Sequence, residues 1–284
     1  MAVWLAIAAP QPAHAYCRAT TCDPQGAQCD PPQPTDCGKP LRWARDCVGI
    51  AVQTDASDQV SYAQAKGTVR AAFEAWEEVD CGGGTPGVHV EILNKVECAE
   101  VEYNVDGGNV NVLVFRDGGW PHEEGLHNVA LTTVTFEKDT GEIFDADIEV
   151  NTAQYPMTIS DDAASSQYDL LSVLTHEAGH FLGMAHAIDN PEATMNPTYQ
   201  PMTINFRSLE PDDGIGICAI YPPDDEPPSE DCNPIPRHGY SPNCREGQIE
   251  GTCSTIPSGE TRDAPAPLAA LALALATLRR RRRS

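Results

Sequence analysis

His176, Glu177, His180, Gly183 and His186 stand in the spacing HExxHxxGxxH, which joins a set of metal donors to a base. On an α-helix His176 and His180, four residues apart, project from one face about one turn apart and can reach a single Zn²⁺. Glu177, next to the first ligand, points beside the metal, where it can hydrogen-bond a bound water; it is the candidate general base. A catalytic zinc takes three protein ligands and keeps one position open. Gly183 can adopt the positive φ that ends a helix and turns the chain back, so that His186 completes the set. Zinc acidifies water from a pKa near 15.7 towards about 7 and polarises a carbonyl, while Glu177 passes a proton to the leaving amine. The chemistry implied is amide hydrolysis. A closed structural zinc site, or a run of core histidines, is the alternative, and neither gives Glu177 a task.

These residues need a rigid helix and a sheet beneath it. Leu170, Leu171, Val173, Leu174, Ala178, Phe181 and Leu182 form a broad apolar surface, so the motif is expected on a largely buried helix capped near Asp169 and ended at Gly183. Residues 46–53 read as a strand, and 62–79 as an amphipathic helix with Val69, Ala72, Phe73 and Trp76 on one face. Segments 88–93, 109–115 and 129–136 read as further strands. Asp139-Thr140-Gly141 marks a turn into strand 143–150, which places Asp145, Asp147 and Glu149 on one face. A last helix is expected from Glu210 to about Ile220, with proline in its first turn and Tyr221-Pro222-Pro223 as its stop.

The length of 284 residues, 41% of them hydrophobic, suits one main domain with appendages, and no repeat of 20–50 residues points to a solenoid or propeller. A net charge of −24, with one basic run at Arg279–Arg283, argues against nucleic acid or anionic membrane as a partner. Residues 1–15 carry an apolar stretch and end Ala13-His14-Ala15, the pattern of an export signal cut by signal peptidase; a buried N-terminal helix is the other reading. All eleven cysteines lie beyond that cut and, in an exported chain, read as disulfides with one thiol left over. Residues 16–40, rich in Cys and Pro, are expected as an irregular lead-in without helix or strand. The stretch 224–263 reads as an acidic, proline-rich linker or stalk containing cysteines. In 264–284 an apolar run of about 13 residues would span only about 20 Å as a helix, short for a membrane crossing.

HEAGHFLGMAH followed by Ala193-Thr194-Met195-Asn196-Pro197 resembles the metzincin metallopeptidases, with Met195 as the counterpart of their Met-turn methionine. The matrixin branch is the nearest resemblance: Pro197-Thr198-Tyr199 is similar to the segment lining its S1′ pocket, and residues 208–222 are similar to its final helix. The resemblance covers about 41–223, taken as the catalytic domain. It implies an α+β fold: a twisted five-stranded mixed sheet, parallel but for one edge strand, with two long helices and a third in a small C-terminal subdomain. Ala187 stands where matrixins carry serine, and Ile143 where one ligand of their second zinc would be, so no second zinc is assigned to His122 and His127.

Phe144 to Glu149 is similar to the matrixin calcium segment; Asp145, Asp147 and Glu149 therefore suit either Ca²⁺ or, as the preferred reading, a solvated acidic face. Cys37-Gly38-Lys39-Pro40 is similar to the core of the matrixin latency peptide, which makes Cys37 a candidate zinc-binding thiol, with a disulfide to Cys29 or Cys47 as the plainer account. The tail after Cys253 resembles the tripartite sorting signals of myxobacterial surface proteins, with an ordinary tail anchor as the alternative.

The expectation is thus an exported, monomeric zinc endopeptidase acting on protein or peptide substrates, touching a membrane only through its tail. A surface-anchored binding or adhesive protein without turnover, or a hydrolase of a non-protein amide, are the competing readings.

Overall fold

The computed structural model describes residues 16–22, 26–123, 125, 127–161, 166–198, 200–223 and 232–243. The expected export signal, 1–15, and the tail, 264–284, lie outside them, as does Tyr199.

The strands in chain order are β1 (Tyr16–Ala19), β2 (Ala27–Asp30), β3 (Cys47–Val52), β4 (His89–Ile92), β5 (Val112–Phe115), β6 (Ala130–Phe136), β7 (Ile143–Val150), β8 (Met157–Thr158), β9 (Tyr168–Asp169) and β10 (Met184–Ala185). Five of them form the main sheet in the order β4-β3-β5-β7-β6, with every neighbour parallel except β6, which runs antiparallel to β7 at the edge. This is the α+β, five-stranded mixed sheet expected from the sequence. β3 and β5 are buried throughout, as unbroken apolar runs require.

The helices are α1 (Tyr62–Glu77), α2 (Leu170–Phe181) and α3 (Pro211–Ile220). Ser61 and Gln64 close a capping box at the start of α1, and Val69, Ala72, Phe73 and Trp76 are buried on the face the sequence marks. Trp76 Nε1 donates to the Thr175 carbonyl at 2.8 Å, and Phe73 meets Phe181 edge-on at 5.0 Å, so α1 and α2 share one core over the sheet. Asp169 caps α2 by accepting the Ser172 amide at 2.8 Å, while its carboxylate also takes Arg207 at 2.9 and 2.7 Å. Arg207 thereby ties the start of α2 to the short 3-10 turn Asn205–Arg207.

Two regions differ from the sequence reading. Residues 16–40 are not irregular: β1 and β2 form a hairpin in which Cys17 and Cys29 are both register partners and a disulfide. The hairpin has no apolar alternation to reveal it, because it is held by cross-links and by pairing to β10 rather than by a core of its own. Residues 232–243 are not a free linker either. Cys47–Cys232 pins them to β3, and the Asn109 amide donates to the Gly239 carbonyl at 2.9 Å. Cys81–Cys218 then joins the end of α1 to α3, and Cys98 is disulfide-bonded as well.

Candidate active site

α2 carries His176, Glu177 and His180, and Gly183, at φ +96, stops it. A Cβ at Gly183 would stand 2.5 Å from the Leu41 carbonyl oxygen, so both backbone conformation and space require glycine. The chain then reverses through β10 and brings His186 back. Ring centroids are 4.7 Å apart for His176–His180, 4.6 Å for His180–His186 and 5.2 Å for His176–His186. One nitrogen from each ring lies within 4.8 Å of the others, and among the described residues no other group of three His, Cys, Asp or Glu side chains converges so closely.

The tautomers are set by backbone oxygens. His176 Nδ1 donates to the Thr194 carbonyl at 2.7 Å and His180 Nδ1 to the Met184 carbonyl at 3.0 Å, so in each ring Nε2 carries the lone pair. Burial, followed by the proximity of His186, holds His176 down at about 3. The same causes take His180 well below its ordinary value, and burial lowers His186. Three neutral imidazoles are what a cation needs from them. Tetrahedral Zn–N bonds of about 2.0–2.1 Å place neighbouring nitrogens about 3.3 Å apart. His180 and His186 Nε2 stand 3.1 Å apart, and the triad fits a zinc site.

Glu177 lies beside the triad and is buried, and burial pushes its carboxyl up to about 7 against the opposing hydrogen bonds of Thr132. Thr132 Oγ1 donates to Glu177 Oε2 at 2.6 Å. Sequence reasoning missed Thr132. Its signal was a hydroxyl on the same face of β6 as Ala130, Val134 and Phe136, a position that otherwise calls for an apolar residue.

Met195 is fully buried beneath α2, and a Cβ at Gly179 would collide with its sulfur and with the Trp76 ring. Gly179, at a variable position of the motif, is therefore a packing requirement. Asp213, also missed, fixes this turn from α3 by accepting the Thr194 amide at 2.7 Å and the Met195 amide at 3.3 Å. Burial raises Asp213 to about 6. Through Thr194 it reaches the carbonyl that orients His176.

Other expected site residues are not brought to the triad. Asp145, Asp147 and Glu149 are buried, at 2, 1 and 0% exposure, so the acidic face is not solvated. Glu149 is paired with the Arg116 guanidinium at 2.5 Å and hydrogen-bonded to His122 Nε2 at 2.7 Å, partners distant in sequence. Burial raises Asp145 to about 8 and Asp147 also upwards, which keeps protons on this pair. Cys37 is bonded to Cys22, neither of the partners expected, and its sulfur is committed there rather than to a metal. Pro197 is exposed beyond the Met195 turn.

The family model of the matrixins, Peptidase_M10, matches residues 42–222. The chain belongs to the matrixin family. Metalloendoproteinase 1-MMP of Arabidopsis thaliana is 28% identical over 189 residues, covering 66% of this chain and 46% of that protein. Human matrix metalloproteinase-16 is 49% identical over 61 residues, 21% of this chain and 10% of its own length. Human neutrophil collagenase is 47% identical over 57 residues, 20% and 12% respectively. This matrixin thus spans less than half the length of these curated relatives, and its hairpin of residues 16–40 precedes the family match.

Proposed function

We propose that this matrixin is an exported zinc-dependent endopeptidase in which His176, His180 and His186 hold one Zn²⁺ and Glu177 is the general base. The observation that carries the reading is the convergence of three neutral imidazoles beside a buried carboxyl raised to about 7, where a base can be ionised and still regain a proton. A purely structural metal site has no use for that carboxylate.

Bound there, Zn²⁺ supplies Lewis-acid polarisation of the scissile carbonyl and acidifies water. Glu177 takes the water proton on its carboxylate and hands it to the leaving amine nitrogen. Thr132 keeps Oε2 fixed, so Oε1 is the oxygen that exchanges the proton. Met195 supports α2 from below, and the Asp213–Thr194 contact keeps the His176 ring in plane. Protein segments in extended conformation are the substrates, with Pro197 at an S1′ pocket.

Export is supported by the disulfides, which persist in oxidising compartments. Residues 1–15 are the export signal, 41–223 the catalytic domain, and 264–284 a sorting or anchoring tail that displays the enzyme at the cell surface or is removed on release.

The test is the purified chain, residues 16–263, assayed for zinc content and digestion of a peptide library, beside Glu177→Ala. The expectation is about one zinc in each and turnover in the wild type alone. Zinc-loaded wild type that cuts no peptide after trial activation would overturn the peptidase reading in favour of a binding protein.

A further inference from the structure

Four consecutive backbone carbonyls where α2 gives way to β10 each accept a hydrogen bond from a different part of the chain. Phe181 accepts from Trp43 Nε1 at 2.9 Å and Leu182 from the Tyr221 hydroxyl at 3.0 Å. Gly183 accepts from the Ala19 amide at 2.8 Å, and Met184 from His180 Nδ1 at 3.0 Å. The third donor belongs to the N-terminal hairpin, outside the stretch matched by the family. There β1 pairs antiparallel with β10, Arg18 opposite Met184 and Cys17 opposite Ala185. His186 follows directly on Ala185.

The hairpin is itself restrained on every side. Cys17–Cys29 joins its two strands, Cys22–Cys37 ties the turn between them to the segment after β2, and the Leu41 amide returns to the Ala19 carbonyl at 2.7 Å. A Cβ on Gly216 of α3 would stand 3.1 Å from both Met184 Sδ and Tyr16 Cβ, so α3 presses β1 and β10 together. A two-residue strand such as β10 has little to hold it without such a neighbour.

We propose that the disulfide-stapled hairpin of residues 16–40 is a positioning element of the metal site: β1 fixes β10, and β10 both orients His180 through the Met184 carbonyl and delivers His186. The inference rests on the zinc reading above. Its chemistry is that of outer-shell partners, whose loss typically weakens metal binding about 10–100-fold.

The test compares the full-length chain with Ala19→Pro, which removes the amide donor to Gly183, and with Cys17→Ser/Cys29→Ser, which removes the cross-strand staple. Cys47→Ser/Cys232→Ser serves as a control for general destabilisation. Zinc dissociation constants are measured by chelator competition on samples that are folded by circular dichroism, together with the absorption spectrum of the Co²⁺-substituted proteins. Zinc binding about 10–100-fold weaker in the two hairpin variants, with an altered Co²⁺ spectrum and a near wild-type control, supports the clamp. Wild-type zinc affinity in either folded hairpin variant overturns it. A measurement on unaltered protein covers a failure of both variants to fold. Because coupling is reciprocal, zinc must slow hydrogen exchange at the Ala19 amide, and exchange there indifferent to zinc also overturns the clamp. A wild type that binds no zinc defeats the zinc reading itself, a result distinct from either of these.

Discussion

Thr132→Val tests whether the environment of Glu177, and not only its place beside the triad, sets the activity. The substitution keeps the side chain's shape and removes one hydroxyl, the donor 2.6 Å from Glu177 Oε2. Thr132 is 2% and Glu177 4% exposed, so water does not readily replace the lost bond. A hydrogen bond to a charged group contributes about 1.5–3 kcal/mol. At 1.36 kcal/mol per pKa unit, its loss moves the carboxyl by about 1–2 units. The sign follows from which form is stabilised: the hydroxyl donates to the carboxylate, so removing it raises the Glu177 pKa further. A base that is harder to ionise shifts the acid limb of the kcat/KM profile upwards by the same 1–2 units. Peptide hydrolysis measured from pH 5 to 9 should therefore fall about 10–100-fold on the acid side in Thr132→Val and recover towards alkaline pH, while Thr132→Ser follows the wild type. An acid limb in Thr132→Val that coincides with the wild type's refutes the assignment of Thr132 as the residue that tunes Glu177.

Met195 is fully buried against Gly179, and Met195→Ala should cost about 2–5 kcal/mol in urea unfolding while volume-conserving Met195→Leu costs under about 1.5 kcal/mol; equal, small losses in both would show that the turn is not packed against α2 as described. Asp145, raised by burial to about 8, favours the protonated folded state, so its contribution is complete below about pH 4 and is lost as pH rises towards 8. Asp145→Asn should accordingly flatten the decline in unfolding free energy between pH 5 and pH 8 in calcium-free buffer, and an unchanged decline would count against the buried, protonated pair.

What could be read in advance followed periodicity and spacing. The apolar face of α1, the capped and glycine-ended α2, the β6–β7 hairpin and the proline-started α3 all advertise themselves within a few residues. The donors of the triad share that property, since they lie within eleven residues of sequence. The supports did not, because each depends on a partner far along the chain: Thr132 on Glu177, Asp213 on the Thr194–Met195 turn, and Arg116 and His122 on Glu149. The acidic face of β7 reads as solvated because nothing local shows that Arg116 and His122 reach Glu149 or that burial raises the two aspartates. The hairpin of residues 16–40 escaped because disulfides and edge pairing leave no hydrophobic period.

The compactness of the donor set in sequence bears on what the metal does for folding. An unfolded chain keeps His176, His180 and His186 close in sequence, so on the zinc reading proposed above it should retain some grip on the metal. A ligand stabilises a fold only by its preference for the folded over the unfolded chain, and binding to the latter reduces that gain. Zinc should thus raise the melting temperature by less than its affinity for the folded site implies, and a zinc-bound chain need not yet be a working one. Competence arrives with the long-range contacts, when Thr132 meets Glu177 and β10 finds its neighbours.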